Sequence, residues 1–549
     1  MRLSEGKEDI LMKYIIFANE FPNHQDRYMS KGNEIKYPVG IQTFETIRRE
    51  GYLYIDKTSY IARLLKGQYF FLSRPRRFGK SLFLSTLESY FLGRRDLFKG
   101  LAIDSLSEDW DPHPVMHLDL SPRQYLSKES LIQVLNANLE IWEELYGNEK
   151  RDRAVEERFA YVIRRAYEKT GKRVVILVDE YDKPLLSAID NPSLAEEYRG
   201  ILKAFYSNLK SMDRYIRFAM LTGVARFSKV SIFSDLNNLN DISFVDDYAG
   251  ICGITTEEMS NYFLEGIHHL AEKSELSPAE IEKELKRRYD GYHFTEKSPD
   301  IYNPYSMMKV FENKRMDSYW FDSGTPRYLV KLIEKGEWKL RNIAPTEIDS
   351  MVLTTAGITT ANPIPVFFQS GYLTIKDYDP VFKTYLLDYP NEEVKEGFLK
   401  FLVPYYIQKE GKDGGFSVKR FTTAVLKGEV DEFMELLESM ISEVPYSEKG
   451  SAEAHFQNAI YLLYTLMGFH VKMEERTSNG RIDIKVETDQ YIYIFEFKID
   501  SSAEEAMDQI EEKKYWLPYV KTGKEIILIG ASFNTKIRRL EEWKKKTIG

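Results

Sequence analysis

The chain has 549 residues, more than one hydrophobic core usually supports, so about two to four domains are expected. Hydrophobic residues make up 43% and charged residues 29%, the balance of an ordinary soluble globular protein. The formal net charge of −9 excludes a protein that coats nucleic acid through bulk charge, but it allows a local basic groove. The single cysteine, Cys252, excludes an intramolecular disulfide framework and favours a reducing cytosol.

The N-terminal stretch carries little pattern, and residues 1–35 are predicted to be an extension. Its acidic residues precede a short apolar run that Lys13 interrupts, which is unlike a secretory signal. No uninterrupted apolar run in the sequence approaches the ~20 residues that span a bilayer. We therefore expect a cytoplasmic protein without a membrane partner.

A phosphate-binding loop is predicted between residues 68 and 91. The apolar run from Tyr69 to Leu72 predicts a buried strand, and the apolar spacing from Leu82 to Phe91 predicts a helix. A strand, a loop with Gly-Lys-Ser and a helix cradle nucleotide phosphates, with the lysine on the β- and γ-phosphates and the serine on Mg²⁺. The residues predicted to bind ATP here are Arg77, Phe78, Gly79, Lys80, Ser81 and Leu82, with Ser81 as a Mg²⁺ ligand.

The match to the GxxxxGK[ST] pattern is incomplete, because Arg74 stands where the first glycine is expected. Glycine allows a backbone turn that arginine adopts less readily. On this stretch alone, a basic strand-to-helix turn that contains the motif by chance therefore stays open.

Strands and helices alternate after the loop, which predicts a three-layer α/β domain with ligands at the carboxyl ends of parallel strands. The predicted strands are Val115–Leu120, Arg173–Asp179 and Ile216–Thr222. The predicted helices are Lys128–Tyr146, Val155–Lys169 and Ala195–Lys210.

The second of these strands ends in an acidic pair, Asp179 and Glu180. An acidic pair after a strand is often only a helix cap, but its place after a phosphate loop in the same sheet favours a Walker B motif. Asp179 is then expected to hold Mg²⁺, and Glu180 to orient and deprotonate the attacking water. Thr222, at the end of the next strand, is predicted to sense the γ-phosphate, with Arg226 near enough to help.

Several stretches resemble the AAA-ATPase-like family, whose members are prokaryotic proteins that commonly carry a C-terminal PD-(D/E)XK nuclease-like domain. The RPRRFGKS form is that family's usual phosphate loop, so the resemblance makes Arg74 no departure. It implies an ATPase-like domain and does not guarantee turnover. The matching stretches are residues 37–58, 71–87, 176–185, 221–243, 289–294, 301–308 and 319–326, and the resemblance resumes near the C-terminus.

The middle of the chain is predicted to be a lid and a connector. Residues 256–350 have mostly helical patterns, and a lid of this kind can place an arginine on the nucleotide. Arg288 is a candidate for that role, with a surface arginine as the alternative. Residues 351–450 combine alternating apolar segments with helical patterns and show no recognisable chemistry.

The C-terminal region carries a second candidate site. Two strand patterns place Asp483 on the first strand and Glu496 with Lys498 on one face of the second. Two carboxylates can hold Mg²⁺ while the lysine steadies the attacking water in phosphodiester hydrolysis. A surface ion pair at a sheet edge is the alternative. Glu453 on the preceding helix is a predicted further metal ligand, and Gln509 lies on the helix that follows.

These observations, together with the family resemblance, predict an α/β protein that combines a P-loop three-layer sandwich, a helical lid and connector, and a C-terminal PD-(D/E)XK nuclease-like domain. The expected function is an ATPase that uses ATP and Mg²⁺ and is coupled to a Mg²⁺-dependent nuclease acting on DNA. A nucleotide-switched binding protein with a non-cleaving tail is the alternative, and a homo-oligomer is compatible with either. The extension, ATPase-like domain, lid, connector and nuclease-like domain are expected at residues 1–35, 36–255, 256–350, 351–450 and 451–549.

Overall fold

The structure is a computed structural model. It describes residues 35–121, 123–189, 191–226, 238–323, 329, 343–355, 362–406, 414–441, 452–466, 470–477, 480–534 and 539–548. None of the helices in these ranges combines the length and the apolar character needed to cross a bilayer.

The described residues form helices and strands in the following order. The strands are β1 (Tyr69–Ser73), β2 (Val115–Asp119), β3 (Val174–Asp179), β4 (Ile216–Gly223), β5 (Asn240–Asp241), β6 (Ile254–Thr255), β7 (Ile301–Tyr302), β8 (Thr346–Asp349), β9 (Thr374–Asp379), β10 (Thr384–Asp388), β11 (His470–Thr477), β12 (Gly480–Glu487), β13 (Tyr491–Ile499), β14 (Glu525–Asn534) and β15 (Arg539–Ile548). The helices are α1 (Phe44–Glu50), α2 (Ser59–Leu64), α3 (Lys80–Phe91), α4 (Ala102–Leu106), α5 (Lys128–Tyr146), α6 (Val155–Thr170), α7 (Lys183–Ser187), α8 (Pro192–Tyr206), α9 (Asn208–Ser211), α10 (Thr256–Tyr262), α11 (Leu264–Ser274), α12 (Pro278–Tyr289), α13 (Pro304–Asn313), α14 (Ser350–Thr355), α15 (Ile364–Gln369), α16 (Glu392–Tyr406), α17 (Gly414–Lys427), α18 (Val430–Ile441), α19 (Ala452–Leu466) and α20 (Ala503–Lys513).

The chain divides into two compact units. The first ends at Trp320 and also takes in short returns of the chain, chiefly Gln369–Tyr378. The second holds most of the remaining residues, from Phe321 to the C-terminus.

The centre of the first unit is a five-stranded parallel sheet in the order β2-β3-β4-β1-β5. Every residue of β3 is buried, as expected for an apolar strand that is covered on both faces. β4 lies between β3 and β1, so the strand with the acidic pair and the strand before the phosphate loop share one neighbour. The carboxyl ends of all three strands therefore meet at the same edge of the sheet.

Helices cover both faces of this sheet, which confirms the predicted layered α/β fold. On one face α5, α6 and α8 pack together, and the Phe159 and Phe205 rings stack with centroids 4.2 Å apart. On the other face, Phe91 of α3 lies 5.1 Å from Phe218 of β4. Two of the later helices, α10 and α12, start with a capping box. Thr255 and Ser277 precede them, and each exchanges hydrogen bonds with the glutamate three positions onward.

The second unit contains a mixed five-stranded sheet in the order β11-β12-β13-β14-β15. β12 and β13 form an antiparallel pair, whereas β13 and β14 run parallel with α20 as the connection between them. At Gly530 of β14, a Cβ atom would lie 2.7 Å from backbone atoms of Ala503 and Met507. The absence of a side chain there lets α20 pack closely against the sheet.

Candidate functional site

The phosphate loop holds its lysine against its own backbone. Gly79 precedes α3 with a φ of 93°, a conformation that glycine adopts without strain, and a Cβ there would meet open space. Lys80 Nζ donates hydrogen bonds to the carbonyl oxygens of Arg74 (3.0 Å) and Pro75 (3.2 Å). The same nitrogen lies 3.5 Å from Glu180 Oε1, and the lysine side chain is only 3% exposed.

The ends of β3 and β4 are joined by a hydrogen bond between two predicted site residues. Thr222 Oγ1 donates to Asp179 Oδ1 over 2.6 Å, and the backbone N–H of Glu180 donates to the same oxygen over 3.0 Å. Glu180 itself has a φ of 52°, which turns its backbone sharply after the strand. Thr222 therefore orients the carboxylate predicted to hold Mg²⁺.

A cavity of about 330 Å³ opens in front of the loop. It brings together most of the predicted nucleotide-binding residues with Glu180. Apart from Arg76, its other lining residues come from the stretches 37–58 and 301–308, which resemble the family but for which no nucleotide-binding role was predicted, because nothing in their local pattern relates them to the loop. The lining residues are Pro38, Val39, Gly40, Ile41, Gln42, Arg76, Arg77, Gly79, Lys80, Ser81, Leu82, Glu180, Pro304, Tyr305 and Met308.

Two other predicted residues have contacts away from this cavity. The Phe78 ring packs edge-on against Tyr292, with centroids 4.8 Å apart, and it is buried. The Arg226 guanidinium forms an ion pair with Asp241 and lies 4.9 Å from the centre of the Phe244 ring. The side chains of Phe78 and Arg226 thus contact other segments of the same unit and are not among the residues that line this cavity.

Arg74, at the position of the missing glycine, has a structural role. The residue is 1% exposed, and its guanidinium donates hydrogen bonds to the carbonyl oxygens of Ser73, Ser243 and Tyr248. It also lies 4.3 Å from the centre of the Phe294 ring, and burial lowers the pKa of Arg74 to about 10. The side chain therefore ties the start of the loop to a distant segment, which no local pattern could have shown.

Arg288 lies on the surface of α12. Its Nε is 3.8 Å from Glu284 Oε2, and about a third of the side chain is exposed. Such a contact is expected of a surface arginine, which was the alternative to a nucleotide-binding role for this residue.

The second candidate site lies on β12 and β13. Asp483 Oδ2 accepts a hydrogen bond from the backbone N–H of Phe497 over 3.0 Å. The Lys498 Nζ lies 3.5 Å from Glu496 Oε1. The two carboxylates and the lysine therefore converge across neighbouring strands, and the Glu496 side chain is almost fully buried.

Gln509 connects this group to α20. Its Oε1 accepts a hydrogen bond from Lys498 Nζ over 2.5 Å, and its Nε2 donates to Glu496 Oε1 and interacts with the Tyr515 hydroxyl at 3.3 Å. Burial, together with the charges of Glu496 and Asp483, raises the pKa of Tyr515. Tyr515 was not predicted, because it follows the end of α20 and lies outside any helical repeat.

The polar groups of the two sites suit different ligands. The loop amides, Lys80 and Ser81 could hold phosphate groups, and Asp179 could complete a Mg²⁺ shell beside them. Asp483 and Glu496 supply carboxylate oxygens that could hold Mg²⁺ with several waters retained. Glu453 lies on α19, but its side chain is outside the described part of the structure. Among the described side chains, no group of three or more His, Cys, Asp or Glu is placed to bind a metal ion.

Comparisons with known proteins place a domain at each site. A family described as "Predicted AAA-ATPase" matches residues 38–233, and the PD-(D/E)XK nuclease superfamily matches residues 451–543. A relative from Azotobacter chroococcum mcd 1, named "Uncharacterized protein in vnfD 5'region", is 33% identical over 530 residues. The aligned region covers 94% of this chain and 99% of that relative.

Proposed function

Since this chain belongs to the AAA-ATPase-like family that carries a C-terminal PD-(D/E)XK nuclease-like domain, we propose that it is an ATP-hydrolysing protein coupled to a metal-dependent nuclease that acts on DNA. The main support is the convergence of acid and lysine groups at both sites. At the first, Lys80 and Glu180 face one cavity; at the second, Asp483, Glu496 and Lys498 meet across two strands.

In the ATPase-like domain, each residue has a distinct task. Lys80 and the loop amides bind the phosphates, while Ser81 and Asp179 hold Mg²⁺, whose charge neutralises the developing negative charge of the reaction. Glu180 then accepts the proton of the attacking water. The 3.5 Å distance between Lys80 Nζ and Glu180 Oε1 supports this assignment, because a base that activates water has to act next to the bound phosphates.

In the nuclease-like domain, Asp483 and Glu496 hold the metal ion, which supplies Lewis-acid chemistry at the phosphate. Lys498 lies beside Glu496, where its charge stabilises the negatively charged transition state. We further propose that the nucleotide state of the first domain controls cleavage by the second, in a cytoplasmic setting.

Nucleotide binding is tested by calorimetry of wild-type protein with Mg²⁺ and ATP beside Lys80→Ala. We expect wild type to bind and the variant to lose most of its affinity, because Lys80 is the lysine that faces the phosphates. Lys210→Ala, an exposed lysine of the same unit, is the matched control and should bind as wild type does. Equal ATP affinity in wild type and Lys80→Ala would contradict this assignment.

The nuclease assignment is tested on plasmid, linear duplex, single-stranded DNA and RNA, with Mg²⁺ or Mn²⁺ and with or without ATP. Cleavage that needs the metal ion and responds to ATP is expected. A chelator should stop it. Absence of metal-dependent cutting on all substrates would overturn the nuclease assignment.

A non-cleaving binding protein is the second candidate function. The observation that favours it is the hydrogen bonding of Gln509 to both Glu496 and Lys498. The amide thereby gives each of these two charged side chains a hydrogen-bonding partner that is not a metal ion. In that case the substrates above would be retarded in a gel but left intact, and the retardation would decrease with added salt.

A further inference from the structure

The nucleotide cavity contains more positive charge than its phosphate-loop lysine supplies. Arg76, Arg77 and Lys80 all line it, and Glu180 is the one acidic residue among its described lining residues. Lys183, at the first position of α7, is not one of these lining residues, but its backbone N–H donates a hydrogen bond to the carbonyl oxygen of Glu180 over 2.9 Å.

Two of these cations already have contacts. Lys80 is held by two loop carbonyl oxygens, and the Arg77 guanidinium lies 4.4 Å from the centre of the Tyr305 ring. Arg76 and Lys183 are different. Both are partly buried, and neither side chain forms a hydrogen bond or an ion pair within the described part of the chain.

The charge of Arg76 also acts on Lys183. Burial and then the charge of Arg76 lower the pKa of Lys183, although the charges of Glu180 and Asp182 oppose that shift. Two like charges held together in a partly desolvated place are unfavourable unless an anion joins them. Among the residues that the structure describes, neither cation has a hydrogen bond or an ion pair that would offset this repulsion.

We propose that Arg76 and Lys183 bind the terminal phosphate of a nucleoside triphosphate, so that one chain by itself distinguishes the triphosphate from the diphosphate. This inference rests on the proposed nucleotide-binding function and extends it to the γ-phosphate. Lys80 holds the phosphate chain from the loop, while Arg76, which lines the cavity with Glu180, and Lys183, which begins the helix after Glu180, bind its end. A terminal phosphate there neutralises both cations and lies next to the base that activates water.

The test is the ratio of two affinities, measured by calorimetry with Mg²⁺. The ligands are ADP and a non-hydrolysable ATP analogue, and the proteins are wild type, Arg76→Ala and Lys183→Ala. Each variant should lose about tenfold in affinity for the ATP analogue, because it loses a charge-assisted contact, while the affinity for ADP changes by less than about twofold. Lys210→Ala should leave both affinities unchanged.

Conservative variants distinguish the loss of a phosphate contact from a loss of folded structure. Arg76→Lys keeps the charge but loses the planar two-nitrogen contact, so it should retain part of the preference for the triphosphate. Lys183→Gln keeps the length of the side chain without its charge and should resemble Lys183→Ala.

The outcomes separate this inference from the function on which it rests. If wild type binds neither nucleotide, both are wrong. If wild type binds and Lys80→Ala does not, but the ratio of the two affinities is the same in all Arg76 and Lys183 variants as in wild type, the nucleotide-binding function stands and this inference is wrong.

Discussion

Each candidate site contains a contact between a lysine and a glutamate, and the two sites differ in the groups that hold the lysine. In the nucleotide cavity, Lys80 Nζ lies 3.5 Å from Glu180 Oε1, and in the C-terminal domain, Lys498 Nζ lies 3.5 Å from Glu496 Oε1. Lys80 is held by carbonyl oxygens of its own loop, whereas Lys498 is held by the side chain of Gln509. The main chain thus positions the first lysine, and a separate helix positions the second.

The charge balance also differs. Among the residues that the structure describes, three cations and one carboxylate line the nucleotide cavity. At the C-terminal site, Asp483 and Glu496 meet one lysine. The first site therefore suits an anion such as a phosphate chain, and the second suits a cation such as Mg²⁺. Substitutions that remove a charged side chain should accordingly affect the binding of an anion at the first site and of a cation at the second.

The largest effect is expected from Asp483→Ala. Loss of this carboxylate weakens metal binding, and a metal ion contributes several kcal/mol to transition-state stabilisation, so the rate of DNA cleavage should fall about a thousandfold. Gel assays of plasmid cleavage with Mg²⁺ measure it. Asp489→Ala, an exposed aspartate in the turn between β12 and β13, is the control and should cut like wild type. Cutting that persists undiminished in Asp483→Ala would mean that the activity belongs to a contaminant.

Glu180→Gln should separate binding from turnover at the first site. The amide cannot accept the proton of water, so phosphate release should fall about a hundredfold or more. ATP affinity should stay within about threefold of wild type, because the carboxylate is not needed to hold the nucleotide. Equal phosphate release by wild type and variant would show that Glu180 is structural.

Gln509→Ala tests the difference in what holds the two lysines. Without the amide, Lys498 and Glu496 lose their shared hydrogen-bonding partner, so cleavage should slow by about tenfold through the turnover rate while DNA affinity changes little. The pH profile of cleavage should also shift, because the amide no longer orders these two charged groups. A variant with wild-type rate and an unchanged pH profile would remove Gln509 from the site.

Much of the fold could be predicted because its elements are locally encoded. The helix Lys128–Tyr146 has the predicted bounds, and β2 ends within one residue of its prediction. The predicted helix Ala195–Lys210 instead starts earlier and divides at Ser207. Asn191 caps its start by accepting from Leu194 N, while Asn208 Nδ2 donates to Glu156 O, a contact with a remote helix that the local sequence could not indicate.

The site residues likewise fall into those that the local sequence could indicate and those that it could not. Gly79-Lys80-Ser81 and the Asp179-Glu180 pair could be predicted because each motif is contiguous and follows a strand. Tyr305 and Tyr515 could not, because only the packing of distant segments brings them to the sites. The general motif alone marked Arg74 as a deviation from glycine, whereas the family resemblance did not, and neither indicated the buried hydrogen bonds by which Arg74 supports the loop.

The smallest effect concerns Asp182, which joins the carboxyl ends of β3 and β4. Its Oδ2 accepts hydrogen bonds from the backbone N–H groups of Val224 (3.0 Å) and Ala225 (2.5 Å). Within the described part of the chain, its buried Oδ1 has no hydrogen-bonding partner. Burial and then the charge of Glu180 raise the pKa of Asp182 from 3.8 to about 7, while Lys80 and the Ala225 amide oppose the shift.

The sign of the pH dependence follows from that raised pKa. Between about pH 4 and pH 7 the folded chain keeps a proton on Asp182 that the unfolded chain releases, so this contribution to stability is complete below pH 4 and is lost as the pH rises towards 7. Asp182→Asn keeps an acceptor for the two amides and removes the titration. From pH 6 to pH 7, the free energy of unfolding of wild type should fall by about 1 kcal/mol relative to that variant. Urea unfolding in Mg²⁺-free buffer measures the difference, and Asp246→Asn, an exposed aspartate of the same unit, should follow wild type. Parallel pH curves for wild type and Asp182→Asn would show that Asp182 is already ionised in the folded protein, and the two strand ends would then be joined by a charged carboxylate.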